Sequence, residues 1–552
     1  MEQNQGVGRA LVCPPRLNFL GQNDNNWNLN ILVVTQSGLP QQAKADVEVA
    51  GISVNNQAQL LDTYKDVAGQ INFFWSYPVS IKQNNQEQMI PYYVDGKSYS
   101  FKVPAINQNN HFAMYSCNGY QTIEDKETVG GISPMWDKLR ALHEEKPLHL
   151  LIGGGDQIYA DGVVHKTKKD EPVNNKNAPM GLFALPSLKN WLNDGNPNYD
   201  APFTEEIKTE VAEFYFTQYR EQYNIPALAK MQAQVPQLVT GDDHDFFDGI
   251  GSYSPEMESS AVFKGIFAIA WRFYLLYQQH ASSNNPPEHG FGDKGYSYLR
   301  QFNNGKLAVL ALDTRSERTK KQVISKNTWQ MALERMHSLP DHCRHLLVIL
   351  AVPVVYPSLN FLLKIYDAAD ISVLMSKLGD SIPGLKNQFG KWELRDDIGD
   401  HWNAKDHVEE CHWMIETLQN YSQRTNTRVT FVSGDVHLAG LGKVEHVSKP
   451  DLYQIFTSPM GNITAPSSLA RGLEYFENED IANGSVAGLV KWDDSEEKLV
   501  TERNFATGCL TPRQRNLFLT LYPERSKPLH KKINQTNETA EVEEPSSCCK
   551  MQ

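Results

Sequence analysis

Long apolar runs are missing from this sequence. No stretch of about 18 apolar residues occurs, so no transmembrane helix is expected. The opening residues, MEQNQGVGRALVCPP, lack a basic segment followed by an apolar one, which argues against a secretory leader. Cysteine is scarce. The seven in 552 residues, at 13, 117, 343, 411, 509, 548 and 549, are odd in number and scattered, which fits a reducing, cytoplasmic setting better than a disulfide framework. Positive charge is also in deficit, with 52 Lys and Arg against 65 Asp and Glu and a net charge of -13. A chain without basic excess is not a general nucleic-acid binder, and an anionic substrate would need local positive charge from metal ions or a few placed arginines.

What is present divides into three parts, since 552 residues exceed what one compact core accommodates. Residues 1–105 are rich in Asn and Gln and carry short β-like runs at 30–35, 71–75 and 98–103, which predicts a small N-terminal β-sandwich domain. Over residues 106–522 buried-type strands alternate with helical patterns, the signature of an α/β layered domain. One long helix is expected over 205–231 and another over 260–279, each with an aromatic stripe that reads as core. Residues 523–552 lose periodicity and gain Glu, Ser, Pro and Lys, so a disordered tail is expected there.

Several apolar strands end on residues of one chemical kind. LHLLIGGGDQIYAD (148–161) is a buried-type strand, then three glycines expected to turn the chain, then Asp156 and Tyr159. A strand at 111–116 delivers Cys117, and one at 236–240 delivers Asp242, Asp243, His244 and Asp245. The strand at 428–432 delivers Asp435 and His437, and that at 306–312 delivers Asp313 and Arg315. Each has a plain alternative: Asp156 as a helix cap, Cys117 as a small buried hydrophobe, 242–245 as a solvated loop. Their joint occurrence at separate strand ends is what those alternatives explain badly. Carboxylates, imidazole, phenol and thiol are metal ligands, and so many converging carboxylates repel one another unless cations lie between them. Arg315 admits two readings, a fork onto phosphate oxygens or an ion pair with a neighbouring acid.

The ordered set SCNGY (116–120), GDQIYAD (155–161), GDDHDFFDGIGS (241–252), LDTRSER (312–318) and SGDVH (433–437) resembles the PhoD-like metallophosphatases of the calcineurin-like metallophosphoesterase superfamily. The resemblance spans about residues 106–510. It implies a four-layer α/β fold, two β-sheets packed between helices, with a β-rich domain before it. It implies a metal-dependent hydrolase of phosphoric esters, a phosphatase or phosphodiesterase, holding two metal ions: iron, with calcium, magnesium, manganese or zinc as the second. Carried onto this chain, Asp156 is the bridging ligand, Cys117 and Tyr159 complete the iron position, and Asp243, Asp435 and His437 are further metal ligands. His244 falls to protonating the leaving group or touching the phosphoryl oxygen. Asp248 stands where the founding members have a metal-binding Asn, which adds a negative charge and leaves the second metal open. Arg315, Arg318 and His401 are candidate substrate contacts. Asp400, His401, Trp402 and His407 lie in a loop, Lys391–Cys411, of the kind the family sets over its active site.

The chain ends Cys548-Cys549-Lys550-Met551-Gln552, which matches a farnesyl-type CaaX box at Cys549 with Cys548 available for palmitoylation. That predicts attachment to the cytosolic face of a membrane. The rival functional class is a membrane-tethered binding module that keeps the fold without turnover.

Overall fold

The computed structural model describes residues 9–160, 185–189, 191, 197–283, 290–356, 401–474, 479–481, 484–511 and 516–534. Among them the chain is mixed α/β, organised by two large sheets and one small one. The centre of the first sheet is parallel. Phe112–Tyr115 pairs with Leu150–Gly154 in register Phe112↔Leu150, and Leu150–Gly154 pairs with Gln237–Thr240 in register Leu151↔Gln237. In the second sheet Leu307–Ala311, His345–Ile349, Arg428–Ser433 and Leu452–Phe456 run parallel in that order.

These central strands are continuous apolar runs because both of their faces are covered. In the second sheet Leu307, Val309, Leu347 and Ile349 face the core shared with Leu151, Ile152 and Leu238 of the first sheet. Their neighbours Ala308, Leu310, Leu346 and Val348 turn the other way, onto Trp329, Met336, Met414 and Leu418 of helices Lys326–His337 and Val408–Thr425. The period of two thus fixes one sheet-to-sheet face and one sheet-to-helix face. Among the described residues no helix is long and apolar enough to cross a membrane.

Four expectations change. The glycine run does not simply follow its strand: Gly153 and Gly154 are its last two residues, and only Gly155 adopts a positive φ, 108°. A Cβ on Gly154 would lie 3.3 Å from the Ser433 carbonyl carbon of the second sheet, so this glycine permits close sheet-to-sheet approach. The helical pattern over 205–231 forms two helices, Glu205–Gln222 and Pro226–Gln234, because Ile225 before the proline is held extended (ψ 118°). Residues 1–105 supply the small sheet (Ile52–Ser53, Val47–Val49, Gln88–Val94, Lys97–Val103) and also extend the first sheet, where Arg16–Asn23 pairs in parallel with Gln237–Thr240. Their core is continuous with that of the rest of the chain. Finally, the first sheet runs past residue 523 through Leu529–Ile533, which pairs with Leu517–Pro523 in register Leu521↔Leu529 and buries Ile533. Residues 535–552, including Cys548 and Cys549, lie outside the described set.

The two sheets are stitched where their parallel strands end. Thr240 Oγ1 donates to Leu312 O (3.2 Å), Ser116 Oγ donates to Thr457 O, and the N–H groups of Met460 and Gly461 donate to Ser116 O and Cys117 O (2.9 Å each). Gly434 sits at the seam, where a Cβ would meet Ser116 Oγ at 2.1 Å. Gly434→Ala is expected to force the sheets apart and lower stability by about 1–3 kcal/mol, read from the urea midpoint. A second prediction concerns pH. His143 Nδ1 accepts the Leu148 N–H (3.1 Å), tying a helix end to the central strand, and burial holds its imidazole down to about 4. Such a group binds its proton less readily folded than unfolded, so its contribution is intact above pH 6.5 and is lost as pH falls through about 4. Urea midpoints measured from pH 7 to 4 should drop less steeply in His143→Asn than in the parent.

Candidate metal centre

The strand ends converge. From the first sheet come Cys117, then Asp156 with Tyr159, then the loop 242–245; from the second come Asp435 and His437. Cys117, Asp156, Asp435 and His437 all have positive φ, at 50, 55, 64 and 52°, which non-glycine residues seldom adopt and which costs of order 1–3 kcal/mol apiece. That strain turns each side chain back toward the seam between the sheets.

On one side of the site Cys117 Sγ lies 3.3 Å from Asp156 Oδ2, and the Tyr159 hydroxyl lies 3.1 Å from His437 Nε2. On the other, Asp156, Asp243 and His244 each offer a donor atom within 4.8 Å of the other two, and so do Asp242, Asp243 and Asp435. Asp156 is common to both sides. Its Oδ1 is buried and, among the described residues, has no hydrogen-bond partner, which fits an oxygen that faces a cation. The His244 ring stacks on Tyr159 at 4.3 Å.

Burial dominates the electrostatics. It pushes the Cys117 thiol and the Tyr159 phenol well up, in each case aided by Asp156. It does the same to Asp156, which His244 opposes and Asp242, Asp243 and Asp245 reinforce. Burial holds the His437 imidazole down to about 3, so it is neutral and ready to ligate at neutral pH. Asp243 is the exception: burial pushes it up, but Arg315, His244 and the Gly249 N–H outweigh that and bring it down to about 2. Thiol, phenol and carboxyl groups held this close, with raised proton affinity, are what a cation would convert to ligands.

The loop 242–245 is built by Asp245. Burial raises its carboxyl to about 7; Oδ2 accepts the Asp242 N–H (2.9 Å), while Oδ1 accepts the Gln157 N–H (2.9 Å) and Gln278 Nε2 (2.7 Å). It therefore ties the 242–245 loop to the loop that carries Asp156.

The other expected site residues are distributed as follows. Arg315 joins the cluster, but with a side chain 0% exposed: Nε pairs with Asp242 Oδ1, Nη2 lies 3.4 Å from Asp243 Oδ1, and Nη1 donates to Ile250 O. The ion-pair reading is present here; the phosphate reading is not tested by this geometry. Arg318 is buried against Gly251 and lies 3.4 Å from His407 Nδ1. His401 is buried and stacks on Tyr356 at 5.1 Å; burial, then the Asp435 carboxylate, push the Tyr356 phenol up, so this stack lies on the Asp435 side of the site. Trp402 is a core residue, 1% exposed and packed in the helix-covered core of the second sheet together with Val354 and Val355. Asp248 is buried beside Asp243, whose Oδ2 accepts the Gly249 N–H (2.9 Å), but it joins neither three-residue group. Residues 391–400 of the expected lid, Asp400 among them, lie outside the described set.

The sequence places Asp242 among the ligand-type residues of GDDHD without assigning it a metal role; Ser458 and Asn462 escape it, because SPMGN (458–462) has no metal-ligand pattern and no signal of its own. The Arg315 pair yields a prediction. Arg315→Met leaves two buried carboxylates without their guanidinium and is expected to cost about 3–5 kcal/mol in the metal-free protein, read by chemical denaturation.

With this geometry in view the comparisons are direct. The family of PhoD-related phosphatases matches residues 89–377 and 372–500, a span that contains every strand end just described. An uncharacterized protein of Saccharomyces cerevisiae, YGR266W, is 31% identical over 423 residues, covering 69% of this chain and 58% of the yeast protein. The chain thus spans less than two thirds of that relative's length. No solved structure matches it. The chain belongs to the PhoD-related phosphatase family.

Proposed function

We propose that this chain is a metal-dependent hydrolase of phosphoric esters with a dinuclear centre, and that its two large sheets and their helices form a four-layer metallophosphoesterase-type fold. The observation that carries the reading is Asp156: its Oδ2 lies against Cys117, the residue also groups with Asp243 and His244, and its buried Oδ1 has no hydrogen-bond partner among the described residues. In this reading Asp156 bridges. Cys117 and Tyr159 offer anionic donors of the kind that suit iron, while Asp243 and Asp435, with Asp242 adjoining, offer oxygen donors suited to calcium, magnesium, manganese or zinc. Bound cations supply Lewis acidity, drawing charge from phosphoryl oxygens and generating a nucleophile from water at neutral pH.

The chain's own residues do the rest. Arg315 holds Asp242 and Asp243 in place and keeps Asp243 ionised. Asp245 fixes the loop that carries them. The stacked, half-buried His244 is the group able to hold a proton at the leaving-group oxygen, with Tyr159 keeping its ring oriented. His401, through its stack on Tyr356, lines the Asp435 side where substrate enters.

The test is hydrolysis of p-nitrophenyl phosphate and bis(p-nitrophenyl) phosphate by purified protein of known metal content. Asp156→Asn should lose both metal and turnover. His244→Asn should keep its metal and lose about 10²–10⁴-fold in kcat. Hydrolysis that survives Asp156→Asn undiminished contradicts the proposal.

A further inference from the structure

The loop after the Leu452–Phe456 strand carries no metal-ligand pattern, yet it touches both sides of the seam. Ser458 is 0% exposed. Its Oγ accepts the His437 backbone N–H (3.1 Å) and stands 2.9 Å from Cys117 Sγ. A backbone N–H can only donate, so that contact occupies an oxygen lone pair and leaves the hydroxyl hydrogen free to be given. Cys117 Sγ is the atom placed to receive it. The loop that carries the serine is anchored by its backbone: the Ser458 carbonyl accepts Asn504 Nδ2 (2.8 Å), and the N–H groups of Met460 and Gly461 donate to Ser116 O and Cys117 O (2.9 Å each).

We propose that Ser458 is a positioning residue that donates an obligate hydrogen bond to the Cys117 sulfur, orienting it and withdrawing electron density from it when it binds a metal ion. This deepens the reading of Cys117 as a metal-holding residue and rests on it. A thiolate that accepts a hydrogen bond keeps more of its charge on sulfur and donates less to the metal, which is how hydrogen bonds around a cysteine set the potential and affinity of an ion.

The experiment uses the full chain, stripped of metal and reloaded with Co²⁺, and reads the sulfur-to-cobalt charge-transfer band in the near ultraviolet together with Co²⁺ affinity. The parent should show the band and Cys117→Ser should lose it. Ser458→Ala, which removes only the donor, should shift the band to lower energy, because the sulfur regains electron density, and weaken Co²⁺ binding about 10–100-fold, because the sulfur loses the contact that orients it. Ser458→Thr, which keeps the hydroxyl, should restore both, with thermal midpoints confirming that all variants are folded. A band present in the parent and unmoved in energy and affinity by Ser458→Ala overturns the role of Ser458 and leaves the metal reading standing. A parent that binds Co²⁺ without any such band overturns both.

Discussion

The constraint on which this structure turns is electrostatic. Asp156, Asp242, Asp243 and Asp245 are all buried at one seam, with Asp435 adjoining and Arg315 as the guanidinium paired with them. Two unit charges 4 Å apart interact by about 4 kcal/mol at an effective dielectric of 20, so a cluster of this kind is not held ionised by one arginine. The molecule meets the excess in two ways. Burial raises the proton affinity of Asp156, Cys117 and Tyr159, while Arg315 and backbone N–H groups keep Asp243 ionised. The site is therefore poised: the groups that favour protons are the groups that a cation would deprotonate.

The architecture serves that seam. Parallel strands all deliver their carboxyl ends to the same side, and two parallel-centred sheets face to face bring two sets of strand ends together. Close approach is made possible by small residues, with Gly154 against Ser433 and Gly434 against Ser116. Left-handed backbone at Cys117, Asp156, Asp435 and His437 then turns four side chains inward within one or two residues of each strand. The strain is local, and the core shared between the sheets sustains it.

Much of this could be read in the sequence, for a physical reason. Strands buried on both faces are unbroken apolar runs, so the strands before Cys117, Asp156, Asp242 and Asp435 stood out, and the polar residues after them had to lie at the sheet edge. What could not be read depends on three-dimensional neighbours. Gly153 and Gly154 look like a turn in one dimension and prove to be strand residues at a packing contact. The carboxylate partner of Arg315 could not be named in sequence, because Asp242 lies 73 residues away. The N-terminal runs gave strands but not the sheet they would join, because a single Asn18↔Gln237 pairing makes that join. The Leu529–Ile533 strand hides in a charged segment because it is an edge strand with one buried end. Ser458 acts through a hydroxyl on a loop, which leaves no mark in composition or spacing.

The most direct test of the central claim is to count and locate the cations. Crystals of the metal-reconstituted protein, with anomalous diffraction measured at the metal absorption edges, should show two ions per chain. One should lie among Cys117, Asp156, Tyr159 and His437, the other among Asp156, Asp243 and Asp435. Anomalous maps without peaks at this seam, from protein that elemental analysis also finds free of metal after reconstitution, would contradict the account at its base.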